Sequence, residues 1–290
     1  MNPECDVLLP VYNAEATLGQ AVRSILGQSH RRLRLIAIDD GSSDSSLKML
    51  REYRDSRILV LANGKNLGLS ATLNRGVGLA TAPYIARMDA DDIAHPLRLE
   101  KQLNLLERRP ELDLVGSAVV SIDSQGMLLG QRIYPKDHDD IIKRPSRSIP
   151  VAHPTWCGRR EWFVKHPYHL GFPRCEDQVL LRKAFKDSCF SNLQEPLLAY
   201  RELTMTRPLR TLKVRWLLAK NIFHTAIKER RIIAGALGSS GLLARWLVDV
   251  LVWLTGNPRL ATYRFQPLPH AVSNEWDSII QGSHIDTPEG

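Results

Sequence analysis

The chain has 290 residues, 43% of them hydrophobic, which is enough for one large domain or for one domain with a smaller appended part. Its N-terminus, MNPECDVLLP, lacks a basic segment followed by an apolar stretch, and its four cysteines form no C-x-x-C pair. These features argue against a secretory signal, a zinc cluster and a disulfide framework. We therefore expect a cytoplasmic protein with reduced thiols, and peripheral association with the inner face of the cell membrane is an open alternative.

The net charge of +8 is concentrated in one part of the chain. Between positions 203 and 264, eleven Lys and Arg side chains stand against two acids, Glu229 and Asp249, whereas the other residues are close to neutral. No DNA-reading or RNA-reading motif accompanies this charge, which argues against nucleic acid as a partner. We expect this part to contact an anionic membrane surface, and a helical cap packed on the rest of the protein is the alternative.

The first 135 residues alternate short apolar runs with helix-like stretches. The apolar runs that predict strands are Val7–Leu9, Leu35–Ile38, Ile58–Leu61 and Tyr84–Ala86. Helices are predicted from Leu18, after Ser42–Asp44, over 70–79 and from Pro96. This order favours a mostly parallel sheet with helices on both faces. The stretches 114–122 and 127–133, separated by Ser124-Gln125-Gly126, predict a hairpin.

Beyond Tyr134 the pattern is less regular. Six prolines between positions 135 and 173 predict a loop-rich region, followed by a helix from Glu176 to Phe185 and short strands at 190–191 and 197–200. The stretches 209–233 and 242–254 look helical, but 242–254 is shorter than the roughly 20 apolar residues of a membrane span. The expected organisation is a catalytic domain over 1–202, with halves 1–134 and 135–202, a basic helical extension over 203–265 and a poorly ordered polar tail over 266–290.

Acidic residues follow several of the predicted strands. Asp40 follows the second strand, and Asp89, Asp91 and Asp92 follow the fourth. Because ligands of open parallel sheets bind beyond the carboxyl ends of the strands, these acids are candidate ligands of a divalent cation that holds nucleotide phosphates. A dinucleotide fingerprint and a Walker loop are both missing. The alternative is that these acids form turns or cap helices, with Asp92 capping the helix that opens at Pro96.

Five blocks of the sequence carry a family resemblance. VLLPVYNAEATLGQAVRSILGQ, IAIDDGSSDSS, NLGLSATLNRG, YIARMDADDIAHPLRLEKQ and CEDQVLLRKAF resemble, in order, the blocks of family 2 glycosyltransferases of the inverting GT-A type. The resemblance spans about 5–201. It implies a GT-A fold, in which a Rossmann-like nucleotide-binding sheet is flanked by helices, and the fold would carry here a helical C-terminal extension.

The resemblance also implies roles for single residues. Asp40 would bind the base, Asp91 and Asp89 would hold Mn²⁺ or Mg²⁺, and Asp177 would be the catalytic base. The residues expected to bind the nucleotide are Pro10, Val11, Tyr12, Glu15, Asp40, Asn66, Gly68, Asn74, Asp89 and Ala90.

Three further residues are expected on the acceptor side. Glu176 would orient the acceptor and is the second candidate for the base; without the resemblance, Glu176 and Asp177 would be read as acids that favour a helix N-terminus. His153 would contact donor or acceptor, or be a packed histidine. Trp156 would stack on a sugar ring, or be a core tryptophan.

The implied activity is metal-dependent transfer of a single hexosyl unit from a nucleotide sugar, in many relatives a UDP-sugar, to a hydroxyl of a glycan or lipid-linked acceptor during cell-surface polysaccharide biosynthesis. Single transfer is preferred over processive synthesis because no membrane span is predicted after the catalytic region. Two alternatives stay open: a non-catalytic protein that binds nucleotide sugars or glycans, and a nucleotidyltransferase, which would normally carry a glycine-rich basic loop after the first strand.

Overall fold

The structure, a computed structural model, describes residues 4–145, 148–202 and 265–282, together with the isolated positions Trp216, Ala219, Val250, Leu254 and Thr255. The strands in this part are β1 (Cys5–Val11), β2 (Leu33–Asp39), β3 (Ile58–Ala62), β4 (Tyr84–Arg87), β5 (Ile93–Ala94), β6 (Leu114–Ile122), β7 (Leu128–Arg132), β8 (Cys157–Arg159) and β9 (Phe190–Arg201). The α-helices are α1 (Leu18–Leu26), α2 (Ser46–Glu52), α3 (Leu69–Leu79), α4 (Arg98–Arg108), α5 (His138–Ile141), α6 (Arg160–Lys165), α7 (Glu176–Ala184) and α8 (His270–Gly282).

The strands form one sheet in the order β3-β2-β1-β4-β8-β6-β9-β5, and β7 pairs with β6. The first four strands of this order run parallel, as the sequence predicts, and β1 lies between β2 and β4. Because β1 is apolar and almost entirely buried, it suits this central position. The second half of the sheet is mixed, since β8 is antiparallel to both β4 and β6, whereas β6 and β9 are parallel.

Helices cover both faces of the sheet, which confirms the prediction. On one face, α1 and α4 contribute apolar residues at helical spacing, such as Leu18, Val22 and Leu103, to a buried cluster with β1 and β2. On the other face, α3, α6 and α7 pack in a second cluster around Trp156 and Trp162. The two clusters pack on opposite faces of the sheet and hold its strands in place. The carboxyl ends of the parallel strands therefore lie together at one edge.

The C-terminal segment differs from the predicted polar tail. Residues 270–282 form α8, which buries Trp276 completely and Ile280 largely against β5, β6 and β9. His95 Nε2 lies 3.0 Å from Glu275 Oε1, and the His95 ring makes an edge contact with Trp276. The apolar residues of α8 recur at helical spacing, a signal that the polar composition of the tail obscured. Residues 283–290 lie outside the described part of the chain.

Two other elements differ from expectation. A single strand, β9, replaces the two predicted short strands, and its register against β6 shifts near Pro196, which lacks an N–H for the ladder. Helix α4 begins at Arg98, two residues after Pro96. The predicted hairpin is present as β6 and β7.

The basic extension over 203–265 lies almost wholly outside the described residues, and so do the two helices predicted within it. Its flanks lie close together. The Glu202 N–H donates to Ile122 O at 2.8 Å, Gln266 pairs with Gln131, and the guanidinium of Arg132 lies 4.9 Å from the ring centre of Tyr200 and 5.9 Å from that of Phe265. Within the part of the chain that the structure describes, no helix combines the length and apolarity needed to cross a membrane.

Candidate functional site

A cleft of about 590 Å³ opens at the carboxyl ends of β1, β2 and β4. One wall is formed by the loops that follow these strands, and the opposite wall by the segment before α7 and its first residue. Its lining residues are Pro10, Val11, Tyr12, Asn13, Ala14, Thr17, Asp40, Asn66, Leu67, Gly68, Leu69, Ser70, Asp89, Ala90, Asp91, Leu170, Pro173, Arg174 and Glu176. This is the edge where the sequence predicts a ligand site.

The loop after β1 is braced by the loop after β2. Asn13 adopts a left-handed backbone (φ 50°), which asparagine tolerates, and its Oδ1 accepts a hydrogen bond from the Ser43 N–H at 2.8 Å. The Glu15 carboxylate accepts from the Ser45 N–H at 2.9 Å, so that Glu15 braces this loop and lies outside the cleft lining. Tyr12, in contrast, lines the cleft with half of its surface exposed.

Asp40 lies buried at the floor of the cleft and organises the loop over 63–68. Its Oδ1 accepts from Asn63 Nδ2 at 2.7 Å and from the Leu67 N–H at 2.9 Å, and its Oδ2 accepts from the Gly68 N–H at 2.9 Å. A carboxylate has about four acceptor positions, so the three bonds leave room for one more donor. That donor can be an N–H of a nucleotide base, as predicted for Asp40.

Two glycines shape the loops beside Asp40. Gly68 adopts φ 88°, and a side chain here would be strained although no atom lies within 4 Å of the position that its Cβ would take. Gly41, at the turn after β2, is restricted for a second reason: a Cβ there would lie 2.4 Å from the carbonyl carbon of Lys65. Gly41 therefore lets the loops after β2 and β3 approach each other closely, and Gly68 permits the left-handed backbone at the edge of the cleft.

The loop after β4 carries the acidic cluster of Asp89, Asp91 and Asp92. Asp89 forms an ion pair with Arg87, a fully buried side chain that the sequence patterns did not indicate. The Asp92 N–H donates to Asp89 O at 3.3 Å, which closes a turn and keeps the three carboxylates together. An uncompensated cluster of this kind would be unstable, and Arg87 offsets part of its charge.

The three carboxylates fit a divalent ion. One oxygen from each of them lies within 4.8 Å of the others, and ligands of one Mn²⁺ or Mg²⁺ at about 2.0–2.2 Å lie within about 4.4 Å of each other. In the described part of the chain the buried Oδ2 of Asp92 has no hydrogen-bond partner, although a buried carboxylate oxygen requires a donor or a cation. Asp89 and Asp91 could therefore hold the ion, with Asp92 beside them.

The alternative interpretation expected Asp92 to cap α4, but the structure shows that it does not. Its Oδ1 accepts from the Arg201 N–H at 2.9 Å, and the residue before α4 is Leu97. The Arg201 side chain donates to Asp91 O at 2.9 Å, and Thr17 Oγ1 donates to Ala90 O at 3.0 Å. The acidic loop is thus fixed from β9 on one side and from α1 on the other.

Helix α7 presents Glu176 and Asp177 at its N-terminus, next to the cleft. Glu176 lines the cleft with 6% of its surface exposed, and its Oε2 has no hydrogen-bond partner in the described structure. Asp177 is half-buried beside it, and Gln178 Nε2 lies 3.4 Å from its Oδ2. Glu176 therefore belongs to the cleft lining, and Asp177 follows it directly in α7 without being part of the lining.

Besides Glu15, three predicted site residues contact protein and do not line the cleft. Asn74 holds the backbone of Tyr168: its Nδ2 donates to Tyr168 O and its Oδ1 accepts from the Tyr168 N–H, both at 2.9 Å. His153 Nε2 lies 2.9 Å from the Tyr168 hydroxyl oxygen. Trp156 is fully buried, with its indole N–H donating to Val151 O at 3.1 Å, so the predicted stacking on a sugar is not available to it.

Burial and mutual repulsion raise the pKa values of the acids around the cleft. Burial, and then the charge of Asp89, raises the pKa of Asp91 to about 6. Burial raises the pKa of Glu176 to about 7, with a further contribution from Asp177. Burial also raises the pKa of Asp177, against the hydrogen bonds from Gln178 and the charge of Arg87. Burial and Arg87 lower the pKa of His153 well below its ordinary value, so this histidine is neutral.

Comparisons with known proteins identify the family. The sequence model described as Glycosyl transferase family 2 matches residues 6–166. The chain belongs to glycosyl transferase family 2. The Bacillus subtilis protein EpsE is 36% identical over 207 residues, which cover 69% of this chain and 73% of EpsE. The O-antigen biosynthesis glycosyltransferase WbnJ of Escherichia coli is 30% identical over 200 residues, which cover 67% of this chain and 78% of WbnJ.

For the first curated relatives, the match spans between 65% and 73% of their length. Solved structures of glycosyltransferases share the fold. Staphylococcus aureus TarS 1–349 in complex with UDP-GlcNAc aligns with a TM-score of 0.60 at 16% identity, covering 98% of this chain and 80% of that one. The mannosyltransferase PcManGT of Pyrobaculum calidifontis, in complex with GDP-Man and Mn²⁺, aligns with a TM-score of 0.59 at 14% identity, covering 98% and 88%. The predicted GT-A fold is confirmed.

Proposed function

We propose that this family 2 member is an inverting glycosyltransferase that moves one sugar from a nucleotide sugar, most simply a UDP-sugar, to a hydroxyl of a glycan or lipid-linked acceptor in cell-surface polysaccharide biosynthesis. One observation carries the proposal. A single cleft is lined by Asp40, Asp89 and Asp91 on one wall and by Glu176 on the other, with Asp177 adjacent. WbnJ, by its name, acts in O-antigen biosynthesis, which supports this setting.

Each wall of the cleft has its part in the proposed reaction. On the nucleotide wall, Asp40 accepts a hydrogen bond from the base, and Tyr12 packs against it. Asp89 and Asp91, with Asp92 beside them, hold Mn²⁺ or Mg²⁺, which when bound supplies Lewis-acid stabilisation of the departing diphosphate. The glycine at position 68 lets the nucleotide approach the backbone.

On the other wall, Asp177 accepts the proton of the acceptor hydroxyl as that oxygen attacks the sugar carbon. Burial raises the pKa of Asp177, which makes its carboxylate a stronger base than that of an exposed aspartate. Glu176 orients the acceptor; it lines the cleft, and its buried Oε2 has no hydrogen-bond partner in the described structure, which supports this role. Attack from the face opposite the diphosphate inverts the anomeric carbon.

The test is a panel of UDP-, GDP- and dTDP-sugars incubated with the purified protein, with and without Mn²⁺. Thermal stabilisation reports binding, and release of nucleoside diphosphate reports turnover. Binding of a donor without turnover against any acceptor would favour a non-catalytic nucleotide-sugar binding protein. Release of pyrophosphate from a nucleoside triphosphate would favour a nucleotidyltransferase. Failure to bind any nucleotide with or without metal would overturn the proposal.

A further inference from the structure

The charges that line the cleft are unevenly distributed. Four lining residues carry carboxylates, Asp40, Asp89, Asp91 and Glu176, whereas a single lining residue of the described chain, Arg174, carries a cation. Arg174 lies on the wall that precedes α7, separated in sequence from the acidic loop after β4. The cleft therefore has three carboxylates on one wall, and on the other wall Arg174 together with the carboxylate of Glu176.

The backbone at Arg174 is strained. Its φ of 69° lies in the left-handed region, which a long side chain adopts at a cost of roughly 1–2 kcal/mol. Asn13, the other non-glycine residue with positive φ in the described chain, also lines the cleft, but asparagine tolerates this conformation better. Glycine would remove the strain at position 174. Strain of this kind persists where the surrounding fold imposes it, and it is concentrated at ligand-binding sites.

The segment that carries Arg174 is fixed to α3 at its start and is closed by a turn at its end. At its start, Asn74 of α3 holds the backbone of Tyr168 through two hydrogen bonds of 2.9 Å. At its end, the Cys175 N–H donates to Phe172 O at 3.2 Å, and Cys175 directly precedes α7. Arg174 is therefore held at a defined place on the rim, three residues before the proposed base, Asp177.

The net charge of the acidic cluster indicates what the positive charge of Arg174 can contribute. Asp89 is paired with Arg87, and a divalent ion would balance Asp91 and Asp92, so the acidic cluster with its ion is neutral overall. A nucleoside diphosphate leaves with one more negative charge than it carries within the nucleotide sugar. Arg174 is the lining cation of the described chain that can meet this additional charge.

We propose that Arg174 binds the diphosphate of the nucleotide sugar and stabilises the negative charge that develops on it. This inference rests on the proposed function. As the acceptor oxygen forms its bond to the sugar carbon, the bond from that carbon to the phosphate oxygen breaks, and its electron pair stays on the phosphate oxygen next to Arg174. The proton of the acceptor hydroxyl goes to Asp177. A guanidinium suits this place because it binds phosphate oxygens through two parallel N–H groups.

The experiment compares nucleoside diphosphates with the matching monophosphates. Isothermal titration measures binding of UDP, UMP, GDP and GMP, each with Mn²⁺, to the wild-type chain, Arg174→Gln, Arg174→Lys and the control Arg51→Gln, which changes an exposed arginine of α2. We expect Arg174→Gln to weaken diphosphate binding about 10- to 100-fold, as loss of a charged hydrogen bond does, while monophosphate binding changes less than about twofold. Arg174→Lys should recover part of the diphosphate affinity, and Arg51→Gln should match the wild type.

Arg174→Gly separates the charge from the backbone strain. Because glycine adopts φ 69° freely, this variant should melt about 1–4 °C above the wild type, and yet it should lose diphosphate affinity as Arg174→Gln does. A variant that merely disturbed the fold would not show this combination.

The outcomes distinguish this inference from the proposed function. If the wild type binds a diphosphate and Arg174→Gln binds it equally well, the assignment of Arg174 is wrong and the proposed function stands. Equal loss of diphosphate and monophosphate affinity also overturns the assignment, since it indicates a general effect on the site. If the wild type binds none of the four nucleotides, the proposed function fails, and this inference fails with it.

Discussion

The two walls of the cleft are built in different ways. The nucleotide wall follows from four parallel strands whose carboxyl ends meet at one edge, so Asp40 and Asp91 are brought together by topology. The acceptor wall comes from the loop-rich stretch between β7 and β9, where single side chains hold the backbone. Gln178 exchanges hydrogen bonds of 3.1 Å with the backbone of Ile149, and Asn192 Nδ2 donates to Pro135 O and Pro150 O.

The two walls are expected to tolerate amino-acid substitutions differently. Strand pairing distributes the cost of a lost contact over a whole ladder, whereas a segment held by one amide depends on that amide alone. We therefore expect that variation in the acceptor wall alters the acceptor without disturbing nucleotide binding. The following predictions test this separation of the two walls.

The largest effect is expected for Asp177→Asn, which removes the base of the acceptor wall and leaves the nucleotide wall intact. Loss of a general base lowers turnover about 10²- to 10⁴-fold. We expect nucleotide binding to change less than about twofold, since Asp177 lies outside the cleft lining. Release of nucleoside diphosphate measures turnover, and titration calorimetry measures binding. Asp187→Asn, which changes an exposed acid paired with Lys165, is the control. Full activity of Asp177→Asn would move the base to Glu176.

The matching change in the nucleotide wall is Asp91→Asn. It should weaken Mn²⁺-dependent nucleotide binding by on the order of 100-fold. Loss of a group that only orients a metal ligand typically costs about 10- to 100-fold in metal affinity, and loss of a ligand itself should cost at least as much. Binding measured in EDTA should stay as in the wild type. Titration calorimetry measures the nucleotide affinity with Mn²⁺ and in EDTA. Asp140→Asn, at an exposed acid of α5, is the control. A variant that keeps its metal dependence would remove Asp91 from the metal site.

Asn74→Ala breaks the connection between the two walls. It leaves the Tyr168 N–H and carbonyl without their partners, and we expect it to lower the free energy of unfolding by about 1–3 kcal/mol and to reduce turnover. Chemical denaturation measures the first effect. Asn104→Ala, on the exposed face of α4, should leave both quantities unchanged. If Asn74 instead contacts the nucleotide, Asn74→Ala will lose nucleotide affinity with little change in stability.

The last effect appears only at higher pH and concerns the stability of the free protein. The pKa of Glu176 rises from its ordinary value of 4.5 to about 7 in the folded state, so the folded protein binds more protons than the unfolded chain between these two pH values. The stability from this group is therefore fully present below pH 4.5 and is lost as the pH rises through about 7. Glu176→Gln should be more stable than the wild type by about 1–3 kcal/mol at about pH 8, and the gain should vanish at about pH 4.5. A gain that is equal at both pH values would exclude this cause.

The sequence predicts the nucleotide wall well, because strand ends in a parallel sheet can be located from apolar runs and their polar successors. Asp40, Asp89 and Asp91 follow such runs, and the structure brings them to one cleft. Arg87 was not anticipated, because a lone arginine in an apolar strand carries no signal that it will be buried against Asp89.

The acceptor wall could be predicted only in outline. Asn74 and Tyr168 are 94 residues apart, and nothing in the local pattern shows that they meet. Trp156 and Trp276 are core residues, which composition alone does not distinguish from exposed aromatic residues. The roles of Asp177, Glu176 and the nucleotide-binding residues stay predictions until the variants are measured.

The flanks of the basic extension suggest a practical route to these measurements. Arg132 contacts the ring of Tyr200, which precedes the basic extension, and the ring of Phe265, which follows it. Since closing a loop costs little more when it is long than when it is short, we expect α8 to stay docked when a glycine-serine linker replaces residues 203–264. Such a shortened chain would show which ligands depend on the replaced segment and which depend on the sheet alone.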